Sequence, residues 1–394
     1  MTQHLEEPNS CEQLLARMVG FNTIFATQSG RDQPELKLAE DLQQLARTWG
    51  FKTELLPVPD HAPNLLIRHE VDAAAPWLVF DSHLDTVDVA GMTIDPFAAE
   101  IRDGKMYGRG ASDTKGTGAA MLWALRSVAA KSAASINLAI LFTVDEENTQ
   151  IGARTFANKQ LEQLDFRPVG MIVGEPTWMR LVTAANGVVR WGVETRGVPA
   201  HSCAPQLGRS AISDMARVIE TIEQRYIPAI EASHPLTGKA GCSINLIEGG
   251  LQINIIPPHC RIQIDRRLVP GEDPLAVLPA VEAVLEPLRQ KDPDLTVEQD
   301  EPRIVPALDP QVGKSFAGTA AVVLERSGFD PQVAGVPYAT NGNSFCQAGL
   351  PTIVLGPGDI AQAHTRNEWL DLEQLHQGIV GYRSLMSEPE QTWA

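Results

Sequence analysis

The sequence predicts an α/β protein whose main domain is interrupted by an inserted α+β domain. Through residues 1–185, apolar runs typical of buried strands alternate with segments of helical apolar spacing. Residues 186–299 follow a different order of strand, helix, strand, strand, helix, strand, and the first pattern resumes over residues 300–394. A chain of 394 residues is long enough for two domains. We therefore predict that residues 1–185 and 300–394 form one domain and that residues 186–299 form the inserted domain.

The first segment is predicted to contain three helices and five strands. Glu12–Gly20 and Glu35–Trp49 have the apolar spacing of amphipathic helices, and Gly50 is a typical residue at a helix C-terminus. Gly104–Gly118 is a glycine-rich loop that leads into the third predicted helix, Ala119–Ala130. The apolar runs that predict strands are Phe51–Leu56, Asn64–Arg68, Trp77–Phe80, Ile136–Val144 and Met171–Val173.

The inserted segment has the order of a split βαβ or ferredoxin-like unit. Its predicted elements are Val188–Thr195, Gly208–Arg225, Ser243–Leu246, Arg261–Arg267, Asp273–Leu288 and Leu295–Gln299. The last segment is predicted to contain helix Gln311–Ser327, strands Gln332–Ala334 and Pro351–Leu355, and helix Leu370–Met386. Because the middle unit is self-contained in pattern, we expect it to be an insertion in one α/β domain.

Composition excludes several classes of partner. The 49 acidic and 32 basic residues give a formal net charge of −17, which argues against nucleic acid or an anionic membrane surface as a partner. The five cysteines are scattered without a CxxC pair, a pattern that favours a reducing compartment over a disulfide framework. The N-terminal sequence lacks the features of a signal peptide, and no apolar run has the length of a membrane span. We therefore expect a cytoplasmic protein.

Chemically active side chains follow three of the predicted strands. The run WLVFDSHLDTV places His83 and Asp85 after an apolar strand, Glu146 and Glu147 follow a second, and Glu175 follows a third. The loops at the carboxyl ends of strands carry the chemistry in open α/β sheets. Each motif alone could be a solvated surface loop, and acids such as Glu146 and Glu147 are also common at helix starts. Three such coincidences favour a common site.

The polar residues at loop positions are His83, Asp85, Asp113, Glu146, Glu147, Glu175 and His364. Imidazoles combined with carboxylates are ligands of zinc, manganese or cobalt. Five ligands would serve two ions if one carboxylate bridges them, and paired ions that share a water molecule are a known hydrolytic device. One acid would remain to act as the base.

Six runs in this chain resemble the dinuclear-zinc amidohydrolase family, which includes acetylornithine deacetylase, succinyl-diaminopimelate desuccinylase, aminoacylases and glutamate carboxypeptidase. The runs are SHLDTV, GRGASDTKG, DEEN, GEP, AHSCAPQLGRSAI and GPGDIAQAHTRNEWL, and they occur in the order found in the family across nearly the whole chain. The resemblance implies a mixed-sheet, zinc-peptidase-like catalytic domain with an inserted ferredoxin-like domain that serves as lid and dimerisation module.

The resemblance also implies a ligand set for two Zn²⁺ ions, with Co²⁺ or Mn²⁺ as possible substitutes. The implied ligands are His83, Asp113 and Glu175 for one ion, and Asp113, Glu147 and His364 for the other. Asp113 would bridge the two ions, and Glu146 would be the general base that passes a proton from water to the leaving amine. Asp85 would orient a ligand without binding the metal.

Three residues of the inserted domain are implied to contact the substrate. His201 would stabilise the oxyanion from the other subunit of a homodimer, although a lone histidine is also a common structural residue. Arg267 would grip a substrate carboxylate, with Arg266 as an open alternative and a surface salt bridge as the structural reading. Asn254 would lie near the substrate, or else would be a turn residue.

The implied activity is hydrolysis of the amide bond of an N-acyl amino acid. The C-terminal motif most resembles the acetylornithine deacetylases, which implies release of ornithine and acetate in arginine biosynthesis. A desuccinylase, another N-acyl-amino-acid hydrolase and a dipeptidase are alternatives with the same metal site, and a catalytically inactive binding protein is an alternative of another class. The run Ala339–Phe345 departs from the acidic GTDA-like run of many members, so the resemblance does not define the substrate pocket.

Overall fold

The computed structural model describes residues 7–330 and 332–393 and divides them into two compact units. The first unit comprises the described residues up to Thr183, then Pro310–Ala334 and Thr340 onwards. The second comprises Ala184–Asp309 and Gly335–Ala339. Mixed helices and sheets confirm the predicted α/β class. The domain boundaries given above stay a prediction.

A mixed sheet of eight strands forms the centre of the main layer. In spatial order its strands are Lys52–Leu56, Asn64–His69, Asn137–Thr143, Trp77–His83, Pro168–Val173, Thr352–Val354, Leu181–Ala185 and Val333–Val336. The four strands from Asn137–Thr143 to Thr352–Val354 run parallel, so their carboxyl ends meet at one edge. This is the edge at which the sequence places its acids and imidazoles.

Helices of the first unit cover this sheet and bury its apolar side chains in one core. The α-helices are Cys11–Val19, Ala26–Ser29, Leu36–Thr48, Lys115–Ala130, Ile151–Thr155, Lys314–Arg326, Asn341–Gln347 and Leu372–Met386. A separate sheet of three short strands contains Glu100–Arg102, Lys105–Tyr107 and Trp369–Asp371. Within the part of the chain that the structure describes, no helix combines the length and apolar character needed to cross a membrane.

Several elements differ from the sequence predictions, and three of them lie in or next to sequence runs that bear on the predicted site. The strand predicted to end at Phe80 continues to His83, because parallel neighbours on both sides pair with it and keep all seven of its residues buried. The predicted loop Gly104–Gly118 contains strand Lys105–Tyr107 and the first turn of helix Lys115–Ala130. Helix Asn341–Gln347 was not predicted, because its polar sequence lacks helical apolar spacing.

The second unit is an antiparallel sheet with two helices packed against its apolar side chains. Its sheet has the spatial order Gly241–Gly249, His259–Leu268, Gly187–Arg196 and Thr296–Gln299, with Arg303–Val305 also paired to Gly187–Arg196. Its α-helices are Ala211–Thr221 and Val277–Lys291, and a small hairpin joins Ser233–His234 to Gly238–Lys239. The pairing of Arg303–Val305 extends this unit beyond residue 299.

Gly170 provides a test of the packing between the main sheet and helix Lys314–Arg326. A Cβ atom at Gly170 would lie 2.2 Å from Cε2 of the buried Phe316 ring. We expect Gly170→Ala to lower the free energy of unfolding by about 1–3 kcal/mol, because the ring must move in a close-packed core. Urea unfolding curves at a fixed metal concentration measure this effect.

Gly318, on the same helix as Phe316, is the matched control. It is exposed and a Cβ atom there meets no other atom within 4 Å. Gly318→Ala should therefore stabilise the protein by about 0.5–1 kcal/mol through helix propensity. Equal effects of the two substitutions would contradict the packing described here.

Candidate metal centre

His83 is held at the end of strand Trp77–His83 with its Nε2 nitrogen directed at a carboxylate. Its side chain is 1% exposed. Its Nδ1 lies 3.0 Å from the backbone oxygen of Asp85, which can only accept, so Nδ1 carries the proton of the bond. Nε2 lies 3.2 Å from Oδ1 of Asp113. A ring held in this way would present the lone pair of Nε2 to a cation that displaces the proton there.

Asp113 lies between the two predicted histidine ligands. Its Oδ2 is 3.4 Å from Nε2 of His364, whereas its Oδ1 is the oxygen that faces His83. The same His364 nitrogen lies 2.9 Å from Oε2 of Glu147. The ligand atoms of His83, Asp113 and Glu147 lie within 4.8 Å of one another. The structure thus brings together four of the five predicted ligands, from segments far apart in the sequence.

Asp85 acts on the loop that carries the two glutamates. Its Oδ1 accepts a hydrogen bond from the backbone N–H of Glu146, and its Oδ2 accepts one from Glu147, both at 3.0 Å. Its carboxylate lies 3.5 Å from the His83 ring nitrogen, beyond the backbone oxygen that binds the ring. Asp85 therefore orients His83 through its backbone and the glutamate loop through its side chain.

Glu146 is half-buried, Glu175 is buried, and both acids have raised pKa values. Burial, together with the charges of Glu147, Asp85 and Asp113, raises the pKa of Glu146 to about 8. Burial and the negative charges of Asp113, Glu146 and Glu147 raise the pKa of Glu175 well above its usual range. These mutual effects place the fifth predicted ligand, Glu175, in the same electrostatic cluster. Nε2 of Gln150 donates to Oε1 of Glu146 at 2.7 Å.

The donor set fits divalent cations. Hydrogen bonds from His364 and His83 overcome the effect of burial and hold the pKa of Asp113 well below its usual range. The same contacts with Asp113 and Glu147 raise the pKa of His364 to about 10. Four carboxylates that repel one another at close range need positive charge, and two imidazole nitrogens with carboxylate oxygens are ligands of zinc-like metals.

His201 and Asn254 lie together in the second unit. Both are exposed. Nδ1 of His201 accepts the backbone N–H of Cys203 at 3.2 Å, and the backbone of His201 forms an isolated bridge with Ile255. The backbone oxygen of Asn254 accepts the N–H of Ser202 at 3.0 Å. Two residues predicted to contact substrate thus occupy neighbouring turns of one surface, with the Nε2 nitrogen of His201 facing away from the Cys203 contact.

The adjacent arginines of strand His259–Leu268 have different surroundings. Arg266 has a side chain that is 5% exposed, and its guanidinium pairs with Glu272. Arg267 is 38% exposed and pairs with Asp265 at 2.6 Å. Neighbouring residues of a strand point to opposite faces, so Arg266 belongs to the interior of the unit and Arg267 to its surface. Of the two, Arg267 has the accessible guanidinium.

Sequence reasoning did not identify several buried charges around the metal ligands. Glu368 is fully buried and lies 2.8 Å from Nη1 of Arg109. Glu35 is also buried, and burial with the charge of Asp85 raises its pKa to about 8. Glu368 lies in the same motif as His364, four residues after it, and that position could have marked it as a candidate. Glu35 lies in a predicted helix, and its sequence context carries no such signal.

The run Ala339–Phe345 forms the start of an interior helix. Thr340 caps this helix through a bond from the N–H of Gly342 at 3.1 Å. Nδ2 of Asn341 donates to Oδ2 of the buried Asp81 at 3.1 Å and to the hydroxyl of Thr143 at 2.8 Å. Burial raises the pKa of Asp81 to about 7. The amide at position 341 thus complements an acid inside the main sheet.

Comparison of the sequence with known families and proteins gives a consistent result. The profile of peptidase family M20/M25/M40 matches residues 79–388. An acetylornithine deacetylase of Yersinia pseudotuberculosis serotype O:1b (strain IP 31758) is 33% identical over 377 residues, which cover 91% of this chain and 92% of that protein. An acetylornithine deacetylase of Photorhabdus laumondii is 30% identical over 370 residues, with the same coverage.

Solved structures share the fold at lower sequence identity. The M20 family metallo-carboxypeptidase Sso-CP2 of Sulfolobus solfataricus has a TM-score of 0.76 and 18% identity, covering 96% of this chain and 99% of its own. The Bacillus subtilis YXEP protein, described as a dinuclear metal-binding peptidase of the M20 family, has a TM-score of 0.69 and 15% identity, covering 96% of this chain and 98% of its own.

The pair formed by Asp81 and Asn341 can be tested by exchange. Asn341→Asp would place a second carboxylate about as close to Asp81 as the present 3.1 Å hydrogen bond. We expect a loss of about 1–3 kcal/mol in the free energy of unfolding, because the bond is replaced by a buried unpaired charge. Combining it with Asp81→Asn restores one acid and one amide and should recover most of that loss. A double-mutant cycle from urea unfolding measures the coupling, and an additive double variant would contradict it.

Proposed function

The chain belongs to peptidase family M20/M25/M40, and we propose that it hydrolyses the amide bond of an N-acyl amino acid. The predicted class of metal-dependent hydrolase is that of the family. The observation that carries the proposal is the cluster of His83, Asp113 and Glu147, whose ligand atoms lie within 4.8 Å of one another. Glu146, next in the chain to one of these ligands, supplies an acid with a raised pKa.

We assign the ligands of two cations, with Asp113 as the bridge. The first set is His83, Asp113 and Glu175, and the second is Asp113, Glu147 and His364. Zinc, cobalt or manganese ions bound there would polarise the amide carbonyl and lower the pKa of a water molecule. The contacts of Asp113 support the bridging role, because each of its oxygens faces a different imidazole.

Glu146 is the proposed general base. Its carboxylate takes a proton from the attacking water and returns it to the leaving amine nitrogen. Burial supports this exchange, since it raises the pKa of Glu146 to about 8 and so increases its affinity for a proton. Gln150 binds one oxygen of the carboxylate and leaves the other for proton transfer. Asp85 fixes the backbone of Glu146 and its neighbour and thereby sets the position of the base.

The second unit supplies the proposed substrate contacts. We assign His201 as the donor to the oxyanion, Arg267 as the partner of the substrate carboxylate and Asn254 as a further polar contact. The exposure of all three side chains supports these roles, because each can be reached by a ligand. The planar guanidinium of Arg267 suits a carboxylate, and its present pairing with the carboxylate of Asp265 is of the same kind.

N-acetylornithine is the proposed substrate, and release of ornithine would place the reaction in arginine biosynthesis. The support is similarity to acetylornithine deacetylases of 30% and 33% identity over 91% of this chain. Succinyl-diaminopimelate, other N-acyl amino acids and dipeptides share the scissile amide and are the alternatives. They differ in the groups that flank that bond, so a direct comparison of rates separates them.

The substrate is tested by amine release from the zinc- or cobalt-loaded protein. The panel is N-acetylornithine, N-succinyl-diaminopimelate, other N-acetyl amino acids and simple dipeptides. We expect the largest kcat/KM for N-acetylornithine. A larger value for another compound would move the substrate assignment within the family. No turnover of any compound by a protein with two bound metals per chain would contradict the proposed reaction.

Glu146→Gln tests the base within the same assay. We expect turnover to fall by about 10²–10⁴-fold, because the amide cannot accept the proton, while metal content stays that of the wild type. Glu70→Gln is a matched control, since it changes a surface acid paired with Lys52 in the same unit. Its turnover should equal that of the wild type. Retained turnover in Glu146→Gln would exclude this residue as the base.

We also propose that the protein is a homodimer formed through the second unit. Strand Gly241–Gly249 lies at the edge of its sheet, with the other strands of the described chain on one side only. Ile247 and Leu246 on this strand are 58% and 56% exposed, and Ile253 nearby is fully exposed. An exposed apolar edge is suited to pairing with a second copy of itself.

Charges on this edge should weaken the dimer. We expect Leu246→Lys combined with Ile247→Lys to shift the sedimentation coefficient from dimer to monomer, because two lysines on each copy repel across the pairing. Ile101→Lys is the control, as it changes an exposed isoleucine of the first unit. A wild type that sediments as a monomer at high concentration would contradict the dimer.

A further inference from the structure

We propose that Glu368, paired with Arg109, is a positioning residue that holds two ligands of the metal centre in register. The inference rests on the metal centre of the proposed function, and it concerns two residues that bind neither the metal nor the substrate. Glu368 holds the backbone of Asp113, and Arg109 holds the backbone that follows His364. We refer to this pair as the Glu368–Arg109 clamp.

The carboxylate of Glu368 accepts hydrogen bonds from the backbone of one loop. Its side chain is fully buried. Oε1 accepts the N–H of Ser112 at 2.9 Å and that of Asp113 at 3.0 Å. Oε2 accepts the N–H of Gly110 at 2.9 Å. Three donors from one loop therefore converge on a single carboxylate, and one of them, the N–H of Asp113, belongs to the bridging ligand itself.

Arg109 extends the same contact to two other loops. Its Nη1 donates to Oε2 of Glu368 at 2.8 Å. Its Nη2 donates to the backbone oxygen of Thr365 at 3.2 Å, directly after His364, and its Nε donates to the oxygen of Asp88 at 2.9 Å. A guanidinium has donors in a fixed planar arrangement, so these three bonds fix the loops relative to one another.

The ligands that the clamp reaches need such support. His364 has φ +59°, a left-handed conformation that is unfavourable for a non-glycine residue. Asp113 lies in a loop before helix Lys115–Ala130 and faces the negative charges of Glu147 and Glu175. Both ligands belong to the second proposed cation. An error in either position would separate ligand oxygens and nitrogens that now lie about 3 Å apart.

The clamp also suits the charge of its surroundings. Glu368 adds an acid close to Asp113, and that proximity alone would increase repulsion in the cluster. The positive charge of Arg109 lies 2.8 Å away and offsets it. A neutral side chain with the same shape could not attract three N–H groups equally, because an amide replaces one acceptor oxygen with a donor.

Cation binding to the metal-free protein tests the clamp without reference to activity. Co²⁺ is titrated into wild type and Glu368→Gln by calorimetry, and the visible absorption of bound Co²⁺ reports the geometry of its ligands. We expect the second Co²⁺ to bind 10–100-fold more weakly to the variant, which is the usual effect of removing a group that orients metal ligands. We also expect a changed absorption spectrum.

Asp41→Asn is the matched control. Asp41 forms a largely buried ion pair with Arg17 between two helices of the same unit. Its loss and the loss of Glu368 should both lower the melting temperature, but the loss of Asp41 should leave both Co²⁺ affinities and the spectrum unchanged. Equal affinities in wild type and Glu368→Gln would overturn the clamp. Equal losses of affinity in both variants would also overturn it, because they would reflect stability alone.

Arg109→Lys keeps the test decisive if Glu368→Gln does not fold. Lysine retains the positive charge beside Glu368, but a single ammonium cannot reach the oxygens of both Asp88 and Thr365. We expect it to fold, to keep the first Co²⁺ and to bind the second more weakly. Wild-type affinity in this variant would overturn the role of Arg109. A wild type that binds two Co²⁺ ions but hydrolyses no amide would contradict the proposed function and leave the clamp standing, whereas one that binds none would overturn both.

Discussion

Repulsion between carboxylates in one buried cluster is the constraint on which the first unit depends. The negative charge of Asp113 raises the pKa values of Glu146, Glu147 and Glu175, and burial raises them further. Unit charges about 4 Å apart interact by about 4 kcal/mol in the effective dielectric near a protein surface. The apolar packing of a domain leaves a margin of only about 5–15 kcal/mol. Positive charge therefore has to be part of the site, first from two imidazoles and then from cations.

Two further buried acids, Asp85 and Glu368, hold the loops that carry these charges by accepting hydrogen bonds from backbone N–H groups. Asp85 receives two such bonds, and Glu368 receives three. Each arrangement stabilises a charge and fixes a loop at the same time. This explains why buried acids that are not predicted ligands surround the site. In the loops that present the predicted ligands, these acids accept the backbone N–H bonds that a helix or sheet would otherwise satisfy.

Apolar pattern predicted the sheet well because parallel strands are buried on both faces. The strands that end near His83, Glu146 and Glu175 are continuous apolar runs, so their carboxyl ends could be placed from sequence. The same rule misplaced the end of the strand at Phe80, because Asp81 and Ser82 are polar yet buried. Their partners, Thr143 and Asn341 among them, come from elsewhere in the chain and only the folded structure reveals them.

Local pattern was also insufficient for the clamp and for the two arginines. Arg109 and Glu368 are far apart in sequence, and nothing near either residue indicates a buried ion pair. Arg266 and Arg267 could be distinguished only once the face of each strand position was known. The candidate ligands and base could be predicted because they lie in recognisable motifs. The pairs that position them could not, because their two members are distant in sequence.

The order of the ligands along the chain has a consequence for synthesis. His83, Asp113, Glu147 and Glu175 leave the ribosome before the second unit, and His364 follows it. A nascent chain therefore holds the four acids of the cluster for some time with a single imidazole. Bringing the ends of such a long loop together costs little additional conformational entropy, since that cost grows only with the logarithm of the loop length. The delay is kinetic: the last imidazole, and with it the restraint from Arg109, arrives only after the whole second unit has been synthesised.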